Sequence, residues 1–86
     1  MQFNYHKNFK KRFEKLPVKI QNKFEEHLGL FFKNQFHPIL SNHSLSGEYK
    51  GCRSINVTGD IRAIFYVKND GHIVFTNIGS HPELYE

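Results

Sequence analysis

Residues 59–80, GDIRAIFYVKNDGHIVFTNIGS, decide the fold class. Side chains from Ile61 to Lys68 follow the period of two that a strand with two unlike faces requires. Asn69-Asp70-Gly71 then supplies turn chemistry ahead of a second run, His72 to Ile78, which reads as a hairpin. Strands joined this tightly pair antiparallel. In the first of them Ile61, Ala63, Phe65 and Val67 share the face suited to a helical cover, and Arg62, Ile64 and Tyr66 share the other. If Asp60 is already extended, it joins the face of Arg62.

Upstream, Gly59-Asp60 reverses the chain after a strand expected over Cys52 to Thr58, and a shorter strand is expected over Leu45 to Tyr49. Arg53 and Asn56 fall on opposite faces of their strand unless a bulge intervenes. Residues 34–42, NQFHPILSN, carry a proline and no period, and read as a connecting loop. Before them the period becomes helical. Phe9, Phe13 and Leu16 form one stripe and Ile20, Phe24, Leu28 and Phe31 a second, with Lys, Asn and Glu on the opposite faces. Pro17 separates the two, because the residue before a proline is pushed out of helical geometry while a proline is welcome where a helix begins. Gln2 to Tyr5 alternates as a short strand would. The expectation is an α+β domain: a short N-terminal strand and a helical hairpin packed on one face of an antiparallel sheet of about four strands.

With 86 residues the chain suits one domain, 1–86, with one modest core, and nine Phe and four Tyr enlarge the apolar area available to it. The lone Cys52 cannot form an internal disulfide, which suits a reducing compartment. No apolar run spans a bilayer, and the polar start MQFNYHKNFKK is unlike a signal peptide, so a cytoplasmic protein without membrane contact is expected. Charge is uneven: residues 1–34 carry eight Lys/Arg against three acids, residues 35–86 four against five. A cationic first half, Lys10 and Lys11 included, suits nucleic acid or an acidic partner, although solvated helix faces look the same.

The chemistry-bearing residues collect in the sheet region. Scattered histidines and one cysteine make no metal site, no cofactor-binding motif is present, and Cys52 has no neighbouring base in sequence. His6, His27, His37 and His72 read as surface or turn residues. His43 opens the sheet region and His81 follows its last strand, where reactive groups commonly sit; spacing alone leaves each as ordinary as it is reactive. Lys50, Arg53 and Arg62 suit phosphate. Arg62, between apolar neighbours, needs an acceptor, for which Asp60 is nearest. Tyr85 lies where chain ends fray.

Four ordered motifs carry a resemblance. His43-Ser-Leu-Ser-Gly47, Tyr49-Lys-Gly-Cys-Arg53, Gly59-Asp-Ile-Arg62 and Ile78-Gly-Ser-His81-Pro-Glu-Leu-Tyr85 resemble the YafQ branch of the RelE/ParE superfamily, toxins of bacterial type II toxin–antitoxin systems. The resemblance implies an endoribonuclease without cofactors that cuts mRNA, typically on the translating ribosome. It implies a protein that is monomeric when free and silenced in a higher-order complex by a cognate antitoxin. By motif position His43, Asp60, His81 and Tyr85 match catalytic positions of the branch, Lys50 and Arg53 its basic sites, and Arg62 an arginine common in the wider superfamily, which completes the expected catalytic set. Asn56, counted with the RNA-binding residues, stands where the best-known site of the branch has a histidine. His81 is then expected as general acid, His43 or Asp60 as base, and Arg62 with Lys50 as stabilisers of the phosphorane. Two other readings share the fold: a catalytically weak RNA- or partner-binding module, and a ParE-type gyrase inhibitor.

Overall fold

A computed structural model describes residues 2–85. Strand β1 (Phe3–Tyr5) leads into helices α1 (Lys7–Glu14) and α2 (Val18–Lys33). Then come β2 (His43–Ser44), β3 (Arg53–Asn56), β4 (Ile61–Val67), β5 (Ile73–Ser80) and a closing helix α3 (His81–Tyr85). The sheet order is β1-β5-β4-β3-β2. β1 runs parallel to β5, and every other pair is antiparallel. This is the expected α+β architecture, with a fifth strand because the N-terminal segment joins the sheet edge. No helix among the described residues is long and apolar enough to cross a membrane.

The helical hairpin forms where its stripes predict. His6 Nδ1 accepts from the Asn8 N–H and caps α1. Pro17 occupies the cap position of α2. Gln21 Nε2 donates to the Phe13 and Leu16 carbonyls, at 3.1 and 3.0 Å, and so ties the start of α2 to the end of α1. The buried stripe Phe9, Phe24, Leu28 and Phe31 meets Ile55, Val57, Ala63, Phe65, Ile73, Phe75 and Ile78 of the sheet. Phe31 lies edge-on to Phe65 at 5.2 Å, and Phe24 lies edge-on to Phe75 at 5.5 Å. Ring quadrupoles favour that geometry. Leu40, in a 3-10 turn over Pro38–Leu40 inside the expected loop, is also fully buried.

Several expectations are corrected. No strand covers Leu45 to Tyr49. Gly47 adopts φ +64°, which its missing Cβ permits, and it opens a 3-10 turn over Gly47–Tyr49. Pairing belongs instead to His43–Ser44. The following strand is Arg53–Asn56, shorter than Cys52 to Thr58. Val67, assigned to the covered face, is 48% exposed at the end of β4, and Ile64, assigned to the open face, is fully buried. His27 is buried rather than at the surface, and His72 is half-buried with its Nε2 shielded from solvent. Tyr85, expected at a fraying end, lies in α3.

One irregularity positions the outer face. Ile64 pairs with Asn77 but Phe65 pairs with Phe75, leaving Thr76 as an extra residue in β5. This bulge reverses the alternation: Ile73 and Phe75 face the core before it, and Ile78 after it. Gly79 is thereby turned to the face of Arg62, its partner across the pair.

Candidate active site

A hollow of about 490 Å³ opens on the face away from the helical hairpin, lined by His43, Ser44, Leu45, Ser46, Arg62, His81 and Tyr85. Four of the five residues expected in the catalytic set therefore meet around one space, although β2, β4 and α3 deliver them separately.

His43 stands at the start of β2, paired with Ser54. Its Nδ1 lies 2.7 Å from the Ser41 carbonyl oxygen. A carbonyl only accepts, so Nδ1 carries the hydrogen, and in the neutral ring Nε2 keeps its lone pair. Ser41 holds a left-handed backbone, φ +45°. Non-glycine residues adopt that conformation rarely, and it tends to be kept at functional sites.

Arg62 donates through Nη1 to the Asn56 side-chain oxygen on neighbouring β3. The expected acceptor, Asp60, is not the one used: it is exposed in the β3–β4 turn, where its backbone N–H donates to Thr58 Oγ1. The Asn56 backbone carbonyl accepts from His27 Nδ1 of α2 at 2.6 Å. A buried histidine on the covered side thus fixes the asparagine that orients the arginine.

His81 owes its position to a helix cap. The Ser80 N–H donates to Glu83 Oε1 at 2.8 Å, and the Glu83 N–H donates to Ser80 Oγ at 3.4 Å. This reciprocal capping box starts α3 at His81. Those Ser80 contacts, joined by the charge of Arg12, hold the Glu83 carboxyl below its ordinary range. A Cβ added to Gly79 would stand 3.1 Å from both Arg12 Nη1 and Glu83 Oε1, so a larger residue there would push these side-chain ends aside by a few tenths of an ångström. The helix then folds back. Leu84 is buried and its carbonyl accepts from Tyr49 OH at 2.7 Å. The Tyr85 ring packs against His81 at 4.6 Å and edge-on to Tyr49 at 5.5 Å. Burial and Tyr49 push the Tyr85 phenol up while Arg62 draws it down. The net shift is upward, so the phenol remains a hydrogen-bond donor at neutral pH.

The other expected site residues lie outside this lining. Asn56 is behind Arg62. Arg53 Nε donates to Asn42 Oδ1 at 2.7 Å. Its guanidinium also lies over the Phe36 ring at 5.5 Å, a cation–π contact that occupies it structurally. Lys50 is exposed after the 3-10 turn, and Lys10 and Lys11 are exposed on α1. Cys52 is half-buried and burial pushes its thiol up, the reverse of an activated nucleophile. Among the described residues, no group of three or more His, Cys, Asp or Glu is placed to hold a metal ion. Sequence reasoning missed His27, Tyr49, Glu83 and Arg12. Two signals were there to be read: Ser80-x-x-Glu83 with Pro82 in the first turn, and apolar spacing at 73, 75 and 78, which breaks the period of two.

Comparisons with known proteins agree with this fold. The family model described as "Bacterial toxin of type II toxin-antitoxin system, YafQ" matches residues 1–86. The fold is similar to that of YafQ from E. coli, with a TM-score of 0.81 at 23% identity over 99% of this chain and 98% of that one. A mutant toxin from Helicobacter pylori is 27% identical, with a TM-score of 0.75 over 99% of each chain. The E. coli DinJ-YafQ toxin-antitoxin complex gives 0.77 at 24% identity over 99% of this chain and 97% of that one. No curated protein sequence matches the chain.

Proposed function

The chain belongs to the YafQ family of toxins of bacterial type II toxin–antitoxin systems, and from that premise we propose that it is an mRNA endoribonuclease, acting as one domain on the translating ribosome. The observation that carries this reading is the meeting of His43, Arg62 and His81 around one open hollow. His43 Nε2 takes the proton of the ribose 2′-OH, whose oxygen attacks the adjacent phosphorus. The charge that builds on the phosphorane faces the Arg62 guanidinium, already aimed by Asn56. As the bond to the 5′-oxygen breaks, protonated His81 gives that oxygen a proton. The products are a 2′,3′-cyclic phosphate and a 5′-hydroxyl.

His43 rather than Asp60 is assigned the base because it lines the hollow with a fixed tautomer, whereas Asp60 belongs to the turn beyond it. Asn56 cannot move a proton at neutral pH, and its part is to hold Arg62. Tyr85 walls the hollow and supports the His81 ring.

His81→Ala should lower cleavage of ribosome-programmed mRNA by about 10²–10⁴-fold, the usual weight of a positioned acid or base, with an unchanged circular dichroism spectrum. Undiminished cleavage would overturn the assignment. Intact mRNA with DNA damage on induction would instead point to a gyrase inhibitor.

A cognate antitoxin belongs to the same reading, supported by the family and by the toxin–antitoxin complex of the E. coli relative. Lys10, Lys11 and Lys15 are exposed on or beside α1, away from the hollow, and suit an acidic antitoxin segment or ribosomal RNA. Reversing all three to Glu should weaken binding to at least one of these; unchanged affinity for both would remove the hairpin from either role.

A further inference from the structure

A second hollow, of about 230 Å³, adjoins the first and is lined by Ser46, Gly47, Glu48, Tyr49 and Tyr85. Ser46 and Tyr85 border both, so a strand with its phosphate beside Arg62 and His81 can continue directly into it. We propose that this hollow seats a nucleobase adjacent to the scissile phosphate, and that Glu48 makes it favour bases with an exocyclic amino group over uracil. The proposal rests on the ribonuclease reading of the neighbouring hollow.

Three features carry it. Tyr49 and Tyr85 meet at 84° with ring centres 5.5 Å apart, a right-angled aromatic corner. A flat base stacked on one ring abuts the other, and such stacking is a standard way to hold single-stranded nucleic acid. The corner is also held in place, because the Tyr49 hydroxyl donates to the Leu84 carbonyl; the ring is a platform, and its hydroxyl proton is not available to a base. Finally, space is open around Gly47, whose φ of +64° turns the chain at the mouth of the hollow.

Glu48 supplies the selection. Among the described residues it is the only carboxylate in either lining, and it is exposed. An ionised carboxylate accepts hydrogen bonds and donates none. Beside a polyanionic strand it opposes binding unless something donates to it. The amino groups of adenine, cytosine and guanine donate on the base edges that single-stranded readout uses. Uracil offers one N–H between two carbonyl oxygens, which repel a carboxylate.

The test uses uncleavable 2′-deoxy homopolymers of A, C and U, with dissociation constants measured for the wild-type protein and Glu48→Gln, an exposed substitution. The wild type should bind A and C about tenfold more tightly than U, in line with one matched base contact. Glu48→Gln should bring that ratio within about twofold by strengthening U, because an amide can donate to a uracil carbonyl. A ratio that Glu48→Gln leaves unchanged overturns the proposal, including the case where all three polymers bind more tightly by the same factor, which would mean repulsion of phosphate alone. Cleavage of mRNA by the wild type is scored separately. A protein that shows the base preference but cuts nothing keeps the subsite and loses the ribonuclease reading; one that cuts but shows no preference does the opposite.

Discussion

The two faces of the sheet are held by different means. The covered face is an interlocked set of rings: Phe9, Phe24, Phe31, Phe65 and Phe75 are all within 2% of full burial, and each touches at least one of the others. Tyr5 stacks on Phe9 at its rim, its phenol pushed up to about 12 by burial and by Glu25. The outer face has few such residues. Ile64 and Leu84 are buried there outside the main cluster. The rest is positioned by a few hydrogen bonds: His43 to Ser41, Arg62 to Asn56, the reciprocal pair between Ser80 and Glu83, and Tyr49 to Leu84. Packing holds the first face by many redundant contacts, and directional bonds hold the second by few. Substitutions on the two faces should therefore fail differently.

The largest stability effect belongs to the covered face. Phe75→Ala removes a fully buried ring in contact with Phe24, Phe31 and Phe65. It should cost about 3–5 kcal/mol, a sizeable part of the stability of so small a domain. Urea denaturation measures it as a lower midpoint. A midpoint within error of wild type would mean that these rings do not bear the fold.

The same division explains what the sequence could tell. Phe9 in one helical stripe and Phe24, Leu28 and Phe31 in a second announced the helices, and Ala63 and Phe65 a covered strand face, because burial of a surface repeats with its backbone period. The outer face obeys no period. Arg62 was legible as a residue in need of an acceptor, but the choice of Asn56 over Asp60 depends on strand register. His27 reaches Asn56 across 29 positions of the chain, and nothing local distinguishes it from a surface histidine. The placement of His81 was legible in principle through Ser80 and Glu83, since a capping box is a local signal.

Asn56→Ala sharpens the comparison next. It leaves Arg62 without its side-chain partner while the His27 bond to the backbone carbonyl persists. Stability should fall by about 1 kcal/mol, the net worth of an ordinary hydrogen bond. Cleavage should fall further in proportion, by about tenfold to a hundredfold, because misplacement of a positioning group costs rate. Comparing the urea midpoint with single-turnover cleavage separates the two. A loss of stability with full cleavage would show that Arg62 needs no orientation. Ser80→Ala, which removes one arm of the cap, should likewise cost about 1 kcal/mol and lower cleavage less than His81→Ala does.

The smallest expected effect is one of pH, and it isolates the cap without any substitution. Folding lowers the Glu83 carboxyl from its ordinary 4.5 through the Ser80 contacts and Arg12. A group whose folded value is depressed adds stability that is complete above its unfolded value and is lost as pH falls through the folded one. α3 should thus keep its cap at neutral pH and begin to release it below about pH 4.5. The Ser80 amide and the Tyr85 ring, followed by NMR, should then shift together with one midpoint below that value, while core residues such as Phe31 and Phe65 hold their chemical shifts. In Glu83→Gln the amide oxygen still accepts from the Ser80 N–H but no longer titrates, and the shared transition should vanish. If Ser80 and Tyr85 titrate apart, or persist in titrating in that variant, the cap does not hold the closing helix against the sheet, and His81 must be placed by the packing of Leu84 and Tyr85 instead.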